Sequence, residues 1–409
     1  MDTEGAIWQR IAIVRPLRHR DFRLLWFGQS ISYFGNAIYG IALPFQIFAL
    51  KGSAVQLGTA FALSTGTSLL ALLFGGVIVD RVSRRRVILI SDLLSGVVVA
   101  VIAWLGLTSH LRIEFLYIAA VFFGAASAFY LPAMSAILPD LVPRDILVAG
   151  NSLRGLSRQV SRVIGPLLGG LLVSVAGPPT AFGIDAATFF LSFGIFLAST
   201  SVPVIPGLRP SMFAELKEGI RFTASIQWLW ITIAAYAAIN LFCFAPLTVG
   251  LPLLVHNVIG GGAKVFGLIG AAAGVGELVA TFTISQVTIK RVGVFLYLAS
   301  AVEGVALLGM GALPTLPVVM FAYGVFAAGV VAFTVRWDSL LQREVPRALL
   351  GRVTSLDWFG AILLGPLAPI LGATLAQRSG VTSVFLVCGA FALVLSLSGL
   401  AIPSIRRLR

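Results

Sequence analysis

Three arginines lie four residues apart inside one apolar stretch. Arg154, Arg158 and Arg162 fall within 151–177, NSLRGLSRQVSRVIGPLLGGLLVSVAG, which is long and apolar enough to cross a bilayer. Residues four apart share one helical face, so the three guanidinium groups form a stripe. Arg154 falls near the interface, where it can snorkel. Arg162 lies two turns deeper, ~12 Å at 1.5 Å per residue. An unpaired guanidinium at that depth is costly, so it needs a carboxylate or a water-filled cavity. Five acidic residues lie in other apolar stretches: Asp92, Asp185, Glu277, Glu303 and Asp357. A carboxyl there either closes a structural ion pair or hydrogen bond, or exchanges a proton as its surroundings change. Asp92 sits at a depth like that of Arg158, which favours an ion pair.

Absences narrow the chemistry further. No Gly-x-x-x-x-Gly-Lys-Ser/Thr occurs, so ATP does not drive this chain from within. His19, His110 and His256 form no cluster with one another or with cysteine, and no Ser/His/Asp set is recognisable. No metal site, no cofactor and no enzyme are expected. Cys243 and Cys388 both lie inside apolar segments and read as small core residues.

The elements that hold these residues are membrane spans. The chain has 409 residues, 58% hydrophobic and only 11% charged, against about 25% charged in soluble domains. Apolar runs of spanning length occur near 23–48, 55–79, 87–108, 114–136, 151–176, 180–200, 228–254, 265–287, 292–312, 316–336, 351–376 and 380–402. The expected fold is an all-α membrane protein of twelve transmembrane helices. Its net charge of +13 raises nucleic acid as a partner, but the basic residues cluster in the connections between apolar runs. The N-terminus and even-numbered connections carry Arg81, Arg84, Arg85, Arg86, Lys290, Arg291 and most of the others. The odd-numbered ones carry only Lys51, Arg112, Lys264 and Arg378. This bias puts both termini in the cytoplasm and makes nucleic acid unnecessary as an explanation. The basic N-terminus lacks the apolar core of a signal peptide and is expected to be retained.

The spans divide into 1–22, a cytoplasmic N-terminal segment; 23–200, a six-helix bundle; 201–227, a linker; 228–402, a second six-helix bundle; and 403–409, a basic tail. Within the linker, SMFAELKEGIRFTAS reads as an amphipathic helix on the membrane surface. The halves repeat each other. Leu43-Pro44 recurs as Leu251-Pro252, Val142-Pro143-Arg144 as Val345-Pro346-Arg347, and Gly165-Pro166 as Gly365-Pro366. Two six-span repeats of one orientation are a transporter architecture, with the substrate site at the midplane. Pro166 cannot donate to the Arg162 carbonyl, so a break or bend is expected at Gly165-Pro166. Gly165 and Gly169 also have the small-xxx-small spacing of close helix packing, and the two readings are compatible.

The chain resembles the major facilitator superfamily over its whole length. Gly76, Asp80, Arg81, Arg84 and Arg85 match that superfamily's signature loop between spans 2 and 3, with Ser83 where Gly is usual. Gly165, Pro166, Gly169 and Gly170 are similar to the motif of its drug:proton antiporters, with Ser161 where the first Gly stands. Leu17, Asp21, Phe22 and Trp26, with Ile184-Asp185-Ala186, resemble the branch of macrolide-efflux proteins and the enterobactin exporter. The resemblance implies that Asp80 and Arg81 hold a gate closed, that Arg158 and Arg162 act in the antiporter motif, and that Asp185 is structural. It also implies that spans 1, 4, 7 and 10 line a central cavity. That offers Gln29, Asn36 and Tyr39; Tyr117 and Tyr130; Tyr236, Asn240 and Phe242; and Tyr323. These aromatic and amide groups suit a bulky amphipathic ligand.

The function implied is export of amphipathic, drug- or macrolide-like small molecules by proton antiport and alternating access. The exporter is expected to be a monomer in a bacterial-type inner membrane, with the proton gradient as energy source. Glu277, then Asp357, then Glu303 are the preferred proton carriers. One alternative is a dedicated siderophore or natural-product exporter. Another, of a different class, is a non-transporting membrane sensor or scaffold, which should bring a long soluble appendage.

Overall fold

The structure, a computed structural model, describes residues 12–81, 83–200, 212–284 and 286–408. The side chains at 73–81, 131, 212–216 and 348 are not among those described. Nearly all of these residues are helical, with no strand among them. After a 3₁₀ segment, Ala12–Arg18, come α1 (Arg20–Ala49), α2 (Ala54–Arg81), α3 (Arg84–Leu107), α4 (Ile113–Leu141) and α5 (Leu147–Leu197). The linker helix expected from the sequence is α6 (Met212–Ser225). The second half has α7 (Gln227–Ile259), α8 (Gly262–Ile284), α9 (Val292–Ala312), α10 (Leu316–Glu344), α11 (Arg347–Leu363), α12 (Leu367–Ser379) and α13 (Val381–Gly399).

By length and composition ten helices can cross a membrane among the described residues, where twelve spans were expected. The difference has two sources. Helix α1 is not among the ten, and the stretch from Arg144 to Leu197 counts as one. At 51 residues, α5 would be ~76 Å long if straight, more than twice a hydrocarbon core. It is not straight: Gly177 takes φ 80°, ψ 163°, outside the helical region, just before Pro178-Pro179. Left-handed backbone favours glycine, and two prolines cannot extend the preceding helix. The other positive-φ residues among those described are Lys51, Ser109, Gly260, Gly261, Gly262 and Gly380. All fall in odd-numbered connections, which are therefore tight turns.

The chain forms two compact units. Unit 1 is Met1–Lys51 with Gly66–Pro206, and unit 2 is Gly52–Thr65 with Gly207–Arg409. The linker helix thus belongs to unit 2, as does the first part of α2. In unit 1, α5 lies along α1. A Cβ on Gly165 would collide with that of Ala37, and one on Gly169 would stand 3.0 Å from Ile38 Cα. Beyond Gly177, Thr188 and Ser192 lie against Gly35 and Gly28 of α1, and Phe189 and Phe190 lie against Gly96 of α3. Unit 2 repeats the scheme. Gly372 of α12 approaches Ala245 O of α7 at 2.5 Å for an added Cβ, and Gly304 of α9 meets Leu393 N of α13 at 2.7 Å. Helix α6 packs on the same unit: Glu218 pairs with Arg352, and Phe222 lies against the cluster of Leu229, Trp337 and Val353.

The expected break at Gly165-Pro166 is absent, for α5 runs through it as helix. The second copy is where the helix stops. Span 11, expected as one run over 351–376, is α11 and α12 separated at Leu364–Pro366, with the Gly365 amide closing a tighter turn onto Ile362 O at 2.9 Å. Each proline removes one donor, but Gly165 is held by the close approach of Ala37 on α1. Helix α7 is also irregular, passing through π-helical turns at Pro246–Gly250 and Val255–Ile259. Such turns are often found at functional sites.

Candidate functional site

In unit 1 the arginine stripe of α5 faces α1. Arg154 does not snorkel, contrary to expectation. It is buried, and its Nε donates to Gln29 Oε1 at 3.0 Å. Gln29, expected in a cavity, is thereby committed to the helix contact. Trp26 Nε1 donates to Leu153 O at 3.3 Å, and Ser30 and Ser157 join hydroxyls at 3.0 Å. One turn along, the Arg158 guanidinium lies 5.9 Å from the Tyr33 ring centroid, within cation–π range. Arg162 also has an interaction of its own.

Among the described residues Asp92 does not make the expected ion pair. Its Oδ2 accepts from Ser192 Oγ at 2.8 Å, tying α3 to the end of α5. Asp185 is fully buried against Gly35 of α1, with Thr188 Oγ1 donating to Oδ1 at 3.4 Å and Oδ2 without a partner among the described residues. Tyr39 stacks on Phe123 at 4.6 Å and tilts against Phe182 at 5.4 Å. Tyr130 is half-buried and packs against the core cluster that holds Phe22, Met134 and Leu153. Asn36 is exposed and Tyr117 half-buried.

The signature loop is legible only in part. Gly76, Asp80 and Arg81 fall where side chains lie outside the described residues. Arg84 pairs with Asp140 of α4 at 2.6 Å. Arg85 donates to Leu197 O at 2.7 Å and to Ser199 Oγ at 3.0 Å, capping the end of α5. Ser83 takes φ −59°, open to any residue, and its hydroxyl accepts from the Arg86 amide at 3.4 Å. The serine caps α3, so the usual glycine is not needed here. Asp21 accepts from Thr200, which fastens the same end of α5 to α1.

Unit 2 holds the other buried carboxyl. Glu303 of α9 is 1% exposed. Tyr236 of α7 donates to its Oε1 at 3.5 Å, and the Cys243 thiol lies 3.8 Å from Oε2. Ser300 donates to the Tyr236 hydroxyl at 3.4 Å, and Tyr297 donates to Thr232 at 3.4 Å. A ladder of hydroxyls therefore joins α7 to α9 and ends on Glu303. The Tyr236 ring stacks on Phe333 of α10, centroids 3.6 Å apart. Gly329 makes room for the carboxyl, since an added Cβ would stand 3.0 Å from Glu303 Cγ. No cation among the described residues pairs with Glu303. Asp357 is half-buried and accepts from Trp337 Nε1 at 3.0 Å. Glu277 is half-buried with an interaction of its own.

The remaining cavity candidates of unit 2 are mostly engaged with neighbouring helices. Asn240 donates to Ala361 O at 3.1 Å, Phe242 stacks on Phe391 at 4.9 Å, and Tyr323 lies 6.2 Å from Phe326. Sequence reasoning passed over Tyr33, Ser192, Thr232, Ser300, Trp337 and Arg336. The signal for the hydroxyl ladder was present: Thr232 and Tyr236 are four apart, and Tyr297, Ser300 and Glu303 are spaced three apart. Arg336 lies within α10, and its Nη2 donates to Ile284 O at 2.5 Å and to Val287 O, capping α8.

The fold so built is that of membrane transporters. A crystallised POT family transporter in complex with a thioalcohol-conjugated peptide superposes with a TM-score of 0.75 at 15% identity, covering 95% of this chain and 97% of that one. The nucleoside transporter NupG gives 0.75 at 13%, covering 95% and 100%. Residues 11–407 match the transmembrane secretion effector family, and the chain belongs to it, within the major facilitator superfamily. Its relatives include the enterobactin exporter EntS of Shigella boydii, 26% identical over 367 residues, and that of Citrobacter koseri, 27% identical over 362 residues; each match covers 86% of both chains. The protein is a multi-pass membrane protein of the enterobactin-exporter branch.

Proposed function

We propose that the protein is a secondary active exporter of amphipathic small molecules, driven by proton antiport and alternating access. It spans a bacterial inner membrane twelve times, with both termini cytoplasmic, and works as a monomer. The observation that supports proton coupling is Glu303. Its neighbours are two hydroxyls, a thiol and apolar rings, with no cation among the described residues. A carboxyl so enclosed is neutralised by taking up a proton, and water or a cationic substrate that reaches it favours release of that proton. Glu303 therefore moves ahead of Glu277 and Asp357 as the proposed carrier. Asp357 already accepts from an indole, and Glu277 is only half-buried.

A siderophore is the second substrate reading, favoured by the names of the relatives. Both readings are tested in a host stripped of its own exporters. Efflux of fluorescent drugs and secretion of a catecholate siderophore are followed with and without an uncoupler. The expected result is export that stops with uncoupler, and loss of uncoupler-sensitive export in Glu303→Gln. Export that continues at full rate without a proton gradient sinks the coupling claim. Secretion of the siderophore alone, with no drug efflux, selects the dedicated exporter.

A further inference from the structure

The end of the chain folds back onto the start of α9. The turn at Pro403–Arg406 comes so close that a side chain at Gly293 would collide with Ile405 O, and the Gly293 amide donates to Leu408 O at 3.5 Å. Ile405 is fully buried in the core of unit 2 with Leu229, Val292 and Leu296. This packing gathers Lys290 and Arg291 with Arg406 and Arg407 at one membrane end of the unit. All four are exposed, and none forms an ion pair among the described residues. Some cations elsewhere are matched: Arg84 with Asp140, Arg343 with Glu344, Arg352 with Glu218. Here no carboxylate is at hand in sequence, since none lies between Glu277 and Glu303 or after Asp357.

The surface above the patch is apolar. Leu298, Val302 and Val305 lie seven, eleven and fourteen residues beyond Arg291, which places them on one face of α9, and all three are exposed. Helix α13 exposes Val394 and Leu397 in its last turns before the tail. A cationic cluster with an apolar stripe running from it into the membrane matches one molecule: a phospholipid with an anionic headgroup.

We propose that Lys290, Arg291, Arg406 and Arg407 form a binding site for an anionic phospholipid, with acyl chains along the exposed face of α9. The site holds the tail against α9 by neutralising four like charges that would otherwise push the two segments apart. It is independent of the transport reading.

The test uses the full chain in detergent, with bound lipid counted by native mass spectrometry during titration with phosphatidylglycerol or phosphatidylcholine. The native chain should retain phosphatidylglycerol about tenfold more strongly, a preference that weakens with salt. Replacing all four cations by Gln should abolish the preference. If that variant does not fold, Arg406→Gln with Arg407→Gln, at exposed tail positions, should reduce it, and the Lys pair at the same positions should restore it. Equal retention of the two lipids by the native chain overturns the proposal, as does an undiminished preference in the folded Gln variants. Displacement of the lipid by soluble glycerol phosphate at comparable concentration also overturns it, because the site would then recognise free phosphate and the apolar stripe would contribute nothing.

Discussion

Glu303 of α9 and Arg154 of α5 are both buried ionisable groups, with different surroundings. Both lie in apolar sequence, yet Arg154 ties α1 to α5 through Gln29, whereas Glu303 faces a phenol and a thiol. Close approach of α1 to α5 also depends on missing side chains, among them the one at Gly165. Gly165→Ala should force Ala37 away and cost about 1–3 kcal/mol, read as a fall in thermal unfolding temperature in detergent. Gly40→Ala is the control: nothing lies within 4 Å of its added Cβ, and alanine favours helix, so stability should hold or rise slightly. An equal loss in both would show that Gly165 has no packing role. The sequence marked Gly165, Arg154 and Glu303 as unusual residues. It could not say which partner each would meet, because Ala37, Gln29 and Tyr236 are supplied by helices remote in sequence.

At the scale of elements, two Gly-Pro copies in one repeated design have separate fates. The helix continues through Gly165-Pro166 and stops at Gly365-Pro366. Restoring an amide at 366 gives Ile362 O a donor four residues on, and α11 and α12 can then join. Pro366→Ala should therefore stiffen this span and slow efflux while leaving the protein folded, whereas Pro166→Ala should leave efflux unchanged. Transport assays of both variants, normalised to the amount of folded protein, decide it; efflux at the native rate in Pro366→Ala would show that the break is incidental. Most of the spans and the linker helix were legible from apolar length and breaker residues. The choice between the two prolines was not, since both carry the same local signal and only the surrounding packing distinguishes them.

For the molecule as a whole, the proposed arrangement has a simple readout. If both termini are cytoplasmic, green fluorescent protein fused after Arg409 should fluoresce. Alkaline phosphatase fused after His110, in the second odd-numbered connection, should be active outside. Both results together fit the charge bias of the connections. A dark C-terminal fusion with an active phosphatase at that end would require an odd number of crossings.

The sequence by itself determined that the chain is a helical membrane protein with a duplicated plan, because apolar length, breaker residues and charge asymmetry act locally and can be read along the chain. Its resemblance to the major facilitator superfamily is carried by short motifs of the same local kind. Only the tertiary structure decided what the polar residues inside the membrane do. Arg154 reaches Gln29, Asp92 reaches Ser192, and Glu303 stands at the end of a hydroxyl ladder. The physical reason is that an intramembrane polar group takes its role from whichever donor or acceptor the neighbouring helix presents, and helix neighbours are set by packing across the unit.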